Sequence, residues 1–296
     1  MSTEKKVNLF LVGAAKSGTT SLAKLLSLNS EFFVPEHKEP FYFLEGWGVN
    51  HLEEYKSLYK DANKQKYLVD ASTSYLYSKE AAKKIKEYNP NSKVIIILRN
   101  PIDFCFSYWK YMKANGNESS DFLESLSEKT REFRKSNEFE RKCEQWPGNY
   151  QYVDRALYSK QVNYYLDEFG DASVKIVLFE NLINDANELE QIFEFLDVKY
   201  NGETLPKENS EGTRVKFFHA LRFSPKLKFI KRLIKRIVSL EVRVKIRNYL
   251  RNKSFNRDKK VELNFDRAEV ARKFNDDVLK LKLRLKSIDF SSWRDF

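Results

Sequence analysis

Phe10-Leu-Val-Gly-Ala-Ala-Lys-Ser-Gly-Thr-Thr-Ser-Leu22 joins an apolar strand to a glycine-bounded loop and then to the start of a helix. That order of elements makes a phosphate cradle, because loop N–H groups and a helix N-terminus converge on one anion. The nucleotide-triphosphate loop Gly-x-x-x-x-Gly-Lys-[Ser/Thr] sets its lysine directly after the second glycine. Here Thr19 follows Gly18, and the lysine is Lys16, inside the loop. Lys16 brings a point charge, and Ser17, Thr19 and Thr20 bring hydroxyls, but the usual lysine for β- and γ-phosphates is missing. A nucleotide with one 5′-phosphate and a different transferable group fits this loop better.

Working outward, apolar runs and helical patterns alternate along the chain. Val7–Val12 reads as a strand buried on both faces, followed by a helix over Thr19–Leu28. Tyr67–Asp70 is a short strand, and Lys79–Tyr88 is a polar helix stopped by Asn89-Pro90. Lys93–Leu98 (Lys-Val-Ile-Ile-Ile-Leu) is a buried strand, and Pro101 suits the first turn of a helix over Ile102–Ala114. A charged helical stretch over Asp121–Cys143, a helix over Ala156–Phe169, a strand over Val174–Phe179 and a helix over Glu188–Leu196 follow. This alternation predicts an α/β fold of phosphate-loop type. Its three layers are a central parallel sheet and flanking helices, with helical C-terminal additions. Ligands of such sheets bind at the carboxyl ends of the strands, so the loops after Val12, Asp70 and Leu98 should line one site.

The 296 residues are 42% hydrophobic and include 23 Phe and 16 Tyr, enough for a sizeable core. No apolar run approaches the ~20 residues that span a bilayer. The first strand follows Met-Ser-Thr-Glu-Lys-Lys so closely that a signal peptide is not expected. Two cysteines, Cys105 and Cys143, make no disulfide framework, and three histidines make no zinc pattern. A cytoplasmic setting is the default reading. The charge of +11 is uneven: between Arg214 and Lys260 stand 17 Lys or Arg against Glu241 and Asp258, a net +15. That segment contains a helical pattern over Lys226–Val238. It suits an acidic polysaccharide, or the inner membrane surface where a lipid-linked glycan waits; a solvated helical face explains it equally. No nucleic-acid module is present.

A second anion receptor follows Lys93–Leu98. Arg99 closes the strand in Leu98-Arg99-Asn100-Pro101, and Ser107 comes eight residues later, one to two turns into the next helix. A guanidinium fork beside a hydroxyl receives phosphate well. Two separate phosphate sites point to a nucleotide phosphorylated at both ends of its ribose.

On these motifs the chain resembles the sulfotransferases that use 3′-phosphoadenosine 5′-phosphosulfate. The resemblance runs through Lys38-Glu-Pro-Phe-Tyr-Phe43, Asp70-Ala-Ser-Thr73, Arg155-Ala-Leu-Tyr158-Ser-Lys-Gln, Val177-Leu-Phe-Glu-Asn-Leu and Asp289-Phe-Ser-Ser-Trp293. Bacterial carbohydrate-type members and the domains acting on heparan sulfate look most similar. The resemblance implies one sulfotransferase domain over 1–296, with a nucleotide-binding core over 1–200 and a nucleotide-closing loop and basic helical part over 201–296. It implies that Lys16, Ser17, Gly18, Thr19 and Thr20 bind the 5′-phosphosulfate and that Arg99 and Ser107 hold the 3′-phosphate. Tyr158 and Gly212-Thr213-Arg214 would close over the nucleotide. Lys16 would steady charge on the bridging oxygen, and Glu39 would take the acceptor proton, with His37 as its rival. Lys38 and Asp70 are candidates for the acceptor side; Asp70 at a strand end equally reads as a turn cap.

The acceptor implied is a sugar hydroxyl, less readily an amine, with no metal required. Ala71 stands where heparan-type enzymes often carry a lysine, and Phe41 where many bacterial relatives carry histidine. Both departures fall on the acceptor side. A phosphate-loop small-molecule kinase and a non-enzymatic polyanion or membrane-surface module are the alternatives. The first requires a lysine where Thr19 stands. The second leaves Lys16, Arg99 and Ser107 without a purpose.

Overall fold

Every residue of β1 (Leu9–Gly13) is buried, and so is every residue of β4 (Lys93–Leu98) except Lys93. Successive side chains of a strand point to opposite faces, so such strands need cover on both sides. A computed structural model, describing residues 5–206, 212–213, 256–257 and 265–296, supplies that cover. Phe10, Val12, Val94, Ile96 and Leu98 enter one apolar cluster, while Leu9, Leu11, Ile95 and Ile97 enter another.

The sheet has five parallel strands in the order β2 (Phe32–Phe33), β3 (Tyr67–Asp70), β1, β4, β5 (Val174–Leu178). One face is covered by α1 (Thr19–Ser27), α10 (Phe179–Asn184) and α11 (Ala186–Phe195), through Leu22, Leu26, Leu182 and Ile192. Across the other face lie α3 (Lys79–Tyr88), α4 (Pro101–Ala114), α8 (Tyr152–Ala156), α9 (Tyr158–Phe169) and α13 (Asn275–Arg284). Short helices α2 (Leu52–Ser57), α5 (Phe122–Ser125), α6 (Glu128–Arg134), α7 (Asn137–Lys142) and α12 (Arg267–Ala271) complete the described chain. The three-layer α/β expectation is met. Because β1 lies between β3 and β4, the three loops expected to form the site leave neighbouring strand ends.

Some boundaries differ from the sequence reading, each for a local reason. The first strand begins at Leu9 rather than Val7, where the Asn8 side chain bonds the β3 backbone: Nδ2 donates to the Lys66 carbonyl at 2.9 Å, and Oδ1 accepts from Leu68 N at 2.8 Å. The stretch Asp121–Cys143 is three helices, not one. Ser127 and Ser136 break it by capping α6 and α7, their hydroxyls accepting from Thr130 N and Phe139 N. Ala156–Phe169 divides at Leu157, whose ψ of 85° is not helical. Gly170, at φ 76°, ends α9 as its position implied. The helix pattern Lys226–Val238 and nearly all of the basic segment lie outside the described residues. Within it, Asn256–Arg257 pairs antiparallel with Gly212–Thr213.

Candidate active site

The loop after β1 turns through conformations that only particular residues hold easily. Gly13, at φ 155°, approaches β3's following turn so closely that an added Cβ would lie 2.7 Å from Leu76 Cβ and 2.9 Å from the Thr73 carbonyl oxygen. Gly18, at φ 81°, caps α1 and lies against the Phe179 ring, with no side chain capping the helix N-terminus. The first turn of α1 therefore presents its N–H groups and positive dipole end outward. Ser17 and Thr19 are buried, Lys16 is half-buried, and the Lys16 ammonium stands 5.2 Å from the centre of the Tyr111 ring.

Arg99, at the end of β4, joins this loop. Its Nη1 donates to the Lys16 carbonyl at 2.7 Å, and its guanidinium lies 4.9 Å from the Phe179 ring centre. Its Nε is buried without a protein partner. Ser107 is half-buried on α4, one turn before Tyr111 on the same helix face. Asn100 fixes the turn between them: its Oδ1 accepts from Ile102 N, its own N–H donates to Glu180 Oε1 at 2.9 Å, and its Nδ2 donates to Asp295 Oδ2 at 2.8 Å. The fully buried Trp293 donates to Glu180 Oε2 at 2.9 Å, and Arg267 joins Asp295 to Asp103. The end of the chain thus braces the arginine turn. An uncapped helix N-terminus, a lysine and an unsatisfied arginine nitrogen fit an anionic ligand.

A second set of contacts centres on Asp70 at the end of β3. Its carboxylate is fully buried and accepts from Ser72 Oγ at 2.6 Å, Tyr55 OH at 2.9 Å and Tyr75 OH at 3.0 Å. Burial pushes its pKa up from 3.8 to about 6; the three hydroxyls hold it down and the Glu39 charge adds to the rise. Ser72 Oγ in turn accepts from Phe41 N at 3.1 Å, and Tyr75 OH from Phe43 N at 3.3 Å. Asp70 therefore holds the 38–43 loop from beneath and presents no carboxylate at the surface. Within that loop the Glu39 carboxylate accepts from Thr73 Oγ1 at 2.7 Å. Lys38 donates to Thr20 Oγ1 at 2.5 Å, which joins the 38–43 loop to the start of α1. Lys16 (φ 61°), Glu39 (φ 62°) and Phe41 (φ 53°) are three of the four non-glycine residues at positive φ among those described. Backbone strain of this kind gathers where side chains must be aimed.

The fold thus brings Lys16, Ser17, Gly18, Thr19, Thr20, Lys38, Glu39, Asp70, Arg99 and Ser107 to the carboxyl ends of β1, β3 and β4. Tyr158 is different. It is fully buried, its ring packed edge-on to Phe104 and tilted against Trp293, and its hydroxyl has no hydrogen-bond partner among the described residues. Of the late loop, Arg214 and the Thr213 side chain lie outside the described residues. His37 is half-buried two residues before Glu39. Sequence reasoning missed Thr73 as the partner of Glu39, Glu180 and Asp295 as braces, and Tyr111 as the ring under Lys16. Only Tyr111 carried a local signal: it lies four residues after Ser107 on one helix face. Arg155, which opens the motif Arg155-Ala-Leu-Tyr158, is also part of the structure around this loop. Its guanidinium is 3% exposed between Tyr77 and Tyr108, with Nη2 donating to Ser74 Oγ at 3.3 Å and Nε and Nη1 without partners.

Residues 6–282 match the family model described as Sulfotransferase domain. Among solved structures, a sulfotransferase from Alicyclobacillus acidocaldarius aligns at TM-score 0.67 and 24% identity, over 98% of this chain and 99% of its own. Mouse sulfotransferase SULT7A1, solved as a complex with PAP, aligns at TM-score 0.45 and 17% identity over 83% of this chain and 89% of its own. The membrane-associated sulfotransferase kil1 of Dictyostelium discoideum is 28% identical over 110 residues. That match spans 35% of this chain and 22% of the longer relative. No helix among the described residues is long and apolar enough to cross a membrane.

Proposed function

The chain belongs to the sulfotransferase family, and from that premise we propose that it moves a sulfuryl group from 3′-phosphoadenosine 5′-phosphosulfate to a hydroxyl of a sugar-containing acceptor. One observation carries the reading: Arg99 Nη1 donates to the Lys16 carbonyl, so the two anion receptors lie side by side at one edge of the sheet. Their closeness suits a ligand with a phosphate on each side of one ribose.

When bound, the donor supplies a sulfuryl group on a phosphosulfate linkage. The α1 N-terminus, Ser17, Thr19 and Thr20 receive the 5′ end, and Arg99 and Ser107 the 3′-phosphate. Lys16 stabilises charge growing on the bridging oxygen as its bond to sulfur breaks. Glu39 takes the acceptor proton as the new oxygen–sulfur bond forms, and Thr73 fixes the orientation of that carboxylate. Adenosine 3′,5′-bisphosphate and the sulfated acceptor leave, and the proton passes from Glu39 to water.

Calorimetry with adenosine 3′,5′-bisphosphate in EDTA tests the reading. Metal-independent binding, strongly weakened in Lys16→Ala and Arg99→Ala, is the expected outcome. Binding of ATP alone, and only with Mg²⁺, overturns it in favour of a kinase.

A further inference from the structure

Beyond Glu39 the same loop continues through Glu45-Gly46-Trp47, which forms one wall of a cavity of about 610 Å³. Tyr77 and the segment 143–148 form the facing walls. A volume of this size suits a ligand of one to a few rings. Two contacts join the cavity to the Glu39 loop. The turn at Gly48 is pressed on Pro40 and Phe41, where an added Cβ would lie 2.3 Å from the Pro40 oxygen and 2.6 Å from Phe41 Cβ. Tyr77 also covers the Arg155 guanidinium at 5.7 Å, and Arg155 donates to Ser74, the neighbour of Thr73.

The lining has a definite chemistry. Trp47, Trp146 and Tyr77 bring aromatic surface, with the Tyr77 and Trp146 rings edge to face at 5.9 Å. Glu45, Glu140 and Glu144 bring three carboxylates, none with an ion-pair partner among the described residues. The two cations of the wall are engaged. Arg134 is buried against Glu118 at 2.6 Å, and Lys135 contacts Glu132 at 3.0 Å and Asp154 at 3.8 Å. Gln151 also lines the cavity; its side chain is 5% exposed, and its Oε1 has no hydrogen-bond partner. A buried amide oxygen left unsatisfied costs stability unless a ligand donor meets it.

We infer that this cavity receives the acceptor and selects a polyhydroxylated ring that is uncharged or carries an ammonium group, against polyanionic glycans. The inference rests on the sulfotransferase reading above. Aromatic faces take the apolar face of a sugar ring and attract a cation. Carboxylates accept from hydroxyl and ammonium groups and repel sulfate or uronate. The selection is therefore opposite in sign to the basic segment 214–260.

The test loads the full chain with adenosine 3′,5′-bisphosphate and titrates a glucosamine tetramer, its N-acetylated counterpart and a heparin tetrasaccharide. Trp47 and Trp146 fluorescence and calorimetry report binding. The inference expects both glucosamine-type ligands to bind and heparin not to displace them, whatever heparin does at the basic segment 214–260. Glu45→Gln with Glu144→Gln should weaken the amine ligand about tenfold, leaving bisphosphate affinity unchanged. Trp146→Ala should weaken both glucosamine-type ligands, but its ring packs on Gly148, so the exposed glutamate pair decides if that variant misfolds. Heparin that competes with the glucosamine ligands for the cavity, or no change in the glutamate pair, overturns the inference and leaves the donor site standing. Failure to load the bisphosphate overturns the sulfotransferase reading itself.

Discussion

The donor side and the acceptor side of the site are built from different materials. At the donor side, backbone groups of one continuous loop and one arginine at the end of the adjacent strand make the proposed receptor, braced by Glu180, Asp295 and Trp293. At the proposed acceptor side, the carboxylate proposed as base hangs on side-chain hydroxyls: Glu39 on Thr73, and its loop on Ser72, Tyr55 and Tyr75 around Asp70. Backbone cradles tolerate little change in position but much in composition, and so keep one ligand. Side-chain networks can be altered one residue at a time, and so can change acceptor while the chemistry stays.

That contrast predicts that the two halves can be damaged separately. The largest effect is expected from Glu39→Gln, which retains an acceptor for Thr73 but no base. It should lower kcat by about 10²- to 10⁴-fold with unchanged bisphosphate affinity, and a parallel loss of bisphosphate binding would erase the distinction. Arg99→Ala should do the reverse, raising the Kd for adenosine 3′,5′-bisphosphate by about 10²-fold, as loss of charge-assisted hydrogen bonds does. Thr73→Val removes the hydroxyl that tethers the Glu39 carboxylate. Steady-state kinetics should show kcat falling about tenfold, with bisphosphate Kd constant.

The smallest effect concerns pH and stability. The folded pKa of Asp70 is raised from 3.8 to about 6, so the folded chain holds that proton more tightly than the unfolded chain. Its contribution to stability is full below pH 3.8 and is lost as pH rises toward about 6. Asp70→Asn, which cannot ionise, should flatten urea-unfolding stability across that window; an unchanged slope would mean that Asp70 ionises in the fold without cost.

Much of the donor side was legible because it is local. The spacing of Gly13, Lys16 and Gly18, and of Arg99 and Ser107, lies within single strand–loop–helix units, where sequence order and spatial order coincide. Lys38 and Tyr158 were less legible. Both carry polar tips that suit a ligand, yet Lys38 bonds Thr20, and Tyr158 is packed in the core beside Trp293. Nothing in the local pattern distinguishes a tyrosine that lines a site from one that supports it, since burial depends on what distant segments cover. Glu180 and Asp295 reach Asn100 across separations of 80 and 195 residues, which no periodicity records.

The sequence by itself determined the parallel α/β architecture, through apolar runs that need cover on both faces, and the strand–loop–helix turn at Gly13–Gly18, through glycine positions that only a tight turn explains. Tertiary structure alone decided that Asp70 lies under the Glu39 loop, that the chain end braces the arginine turn, and that carboxylates and aromatic rings from residues 45–47, 77 and 140–151 share one cavity. The physical reason is range. Hydrophobic alternation and turn geometry act between near neighbours and are written in order along the chain. Burial, hydrogen-bond partners and cavity charge are set by whichever distant segments the folded core brings into contact.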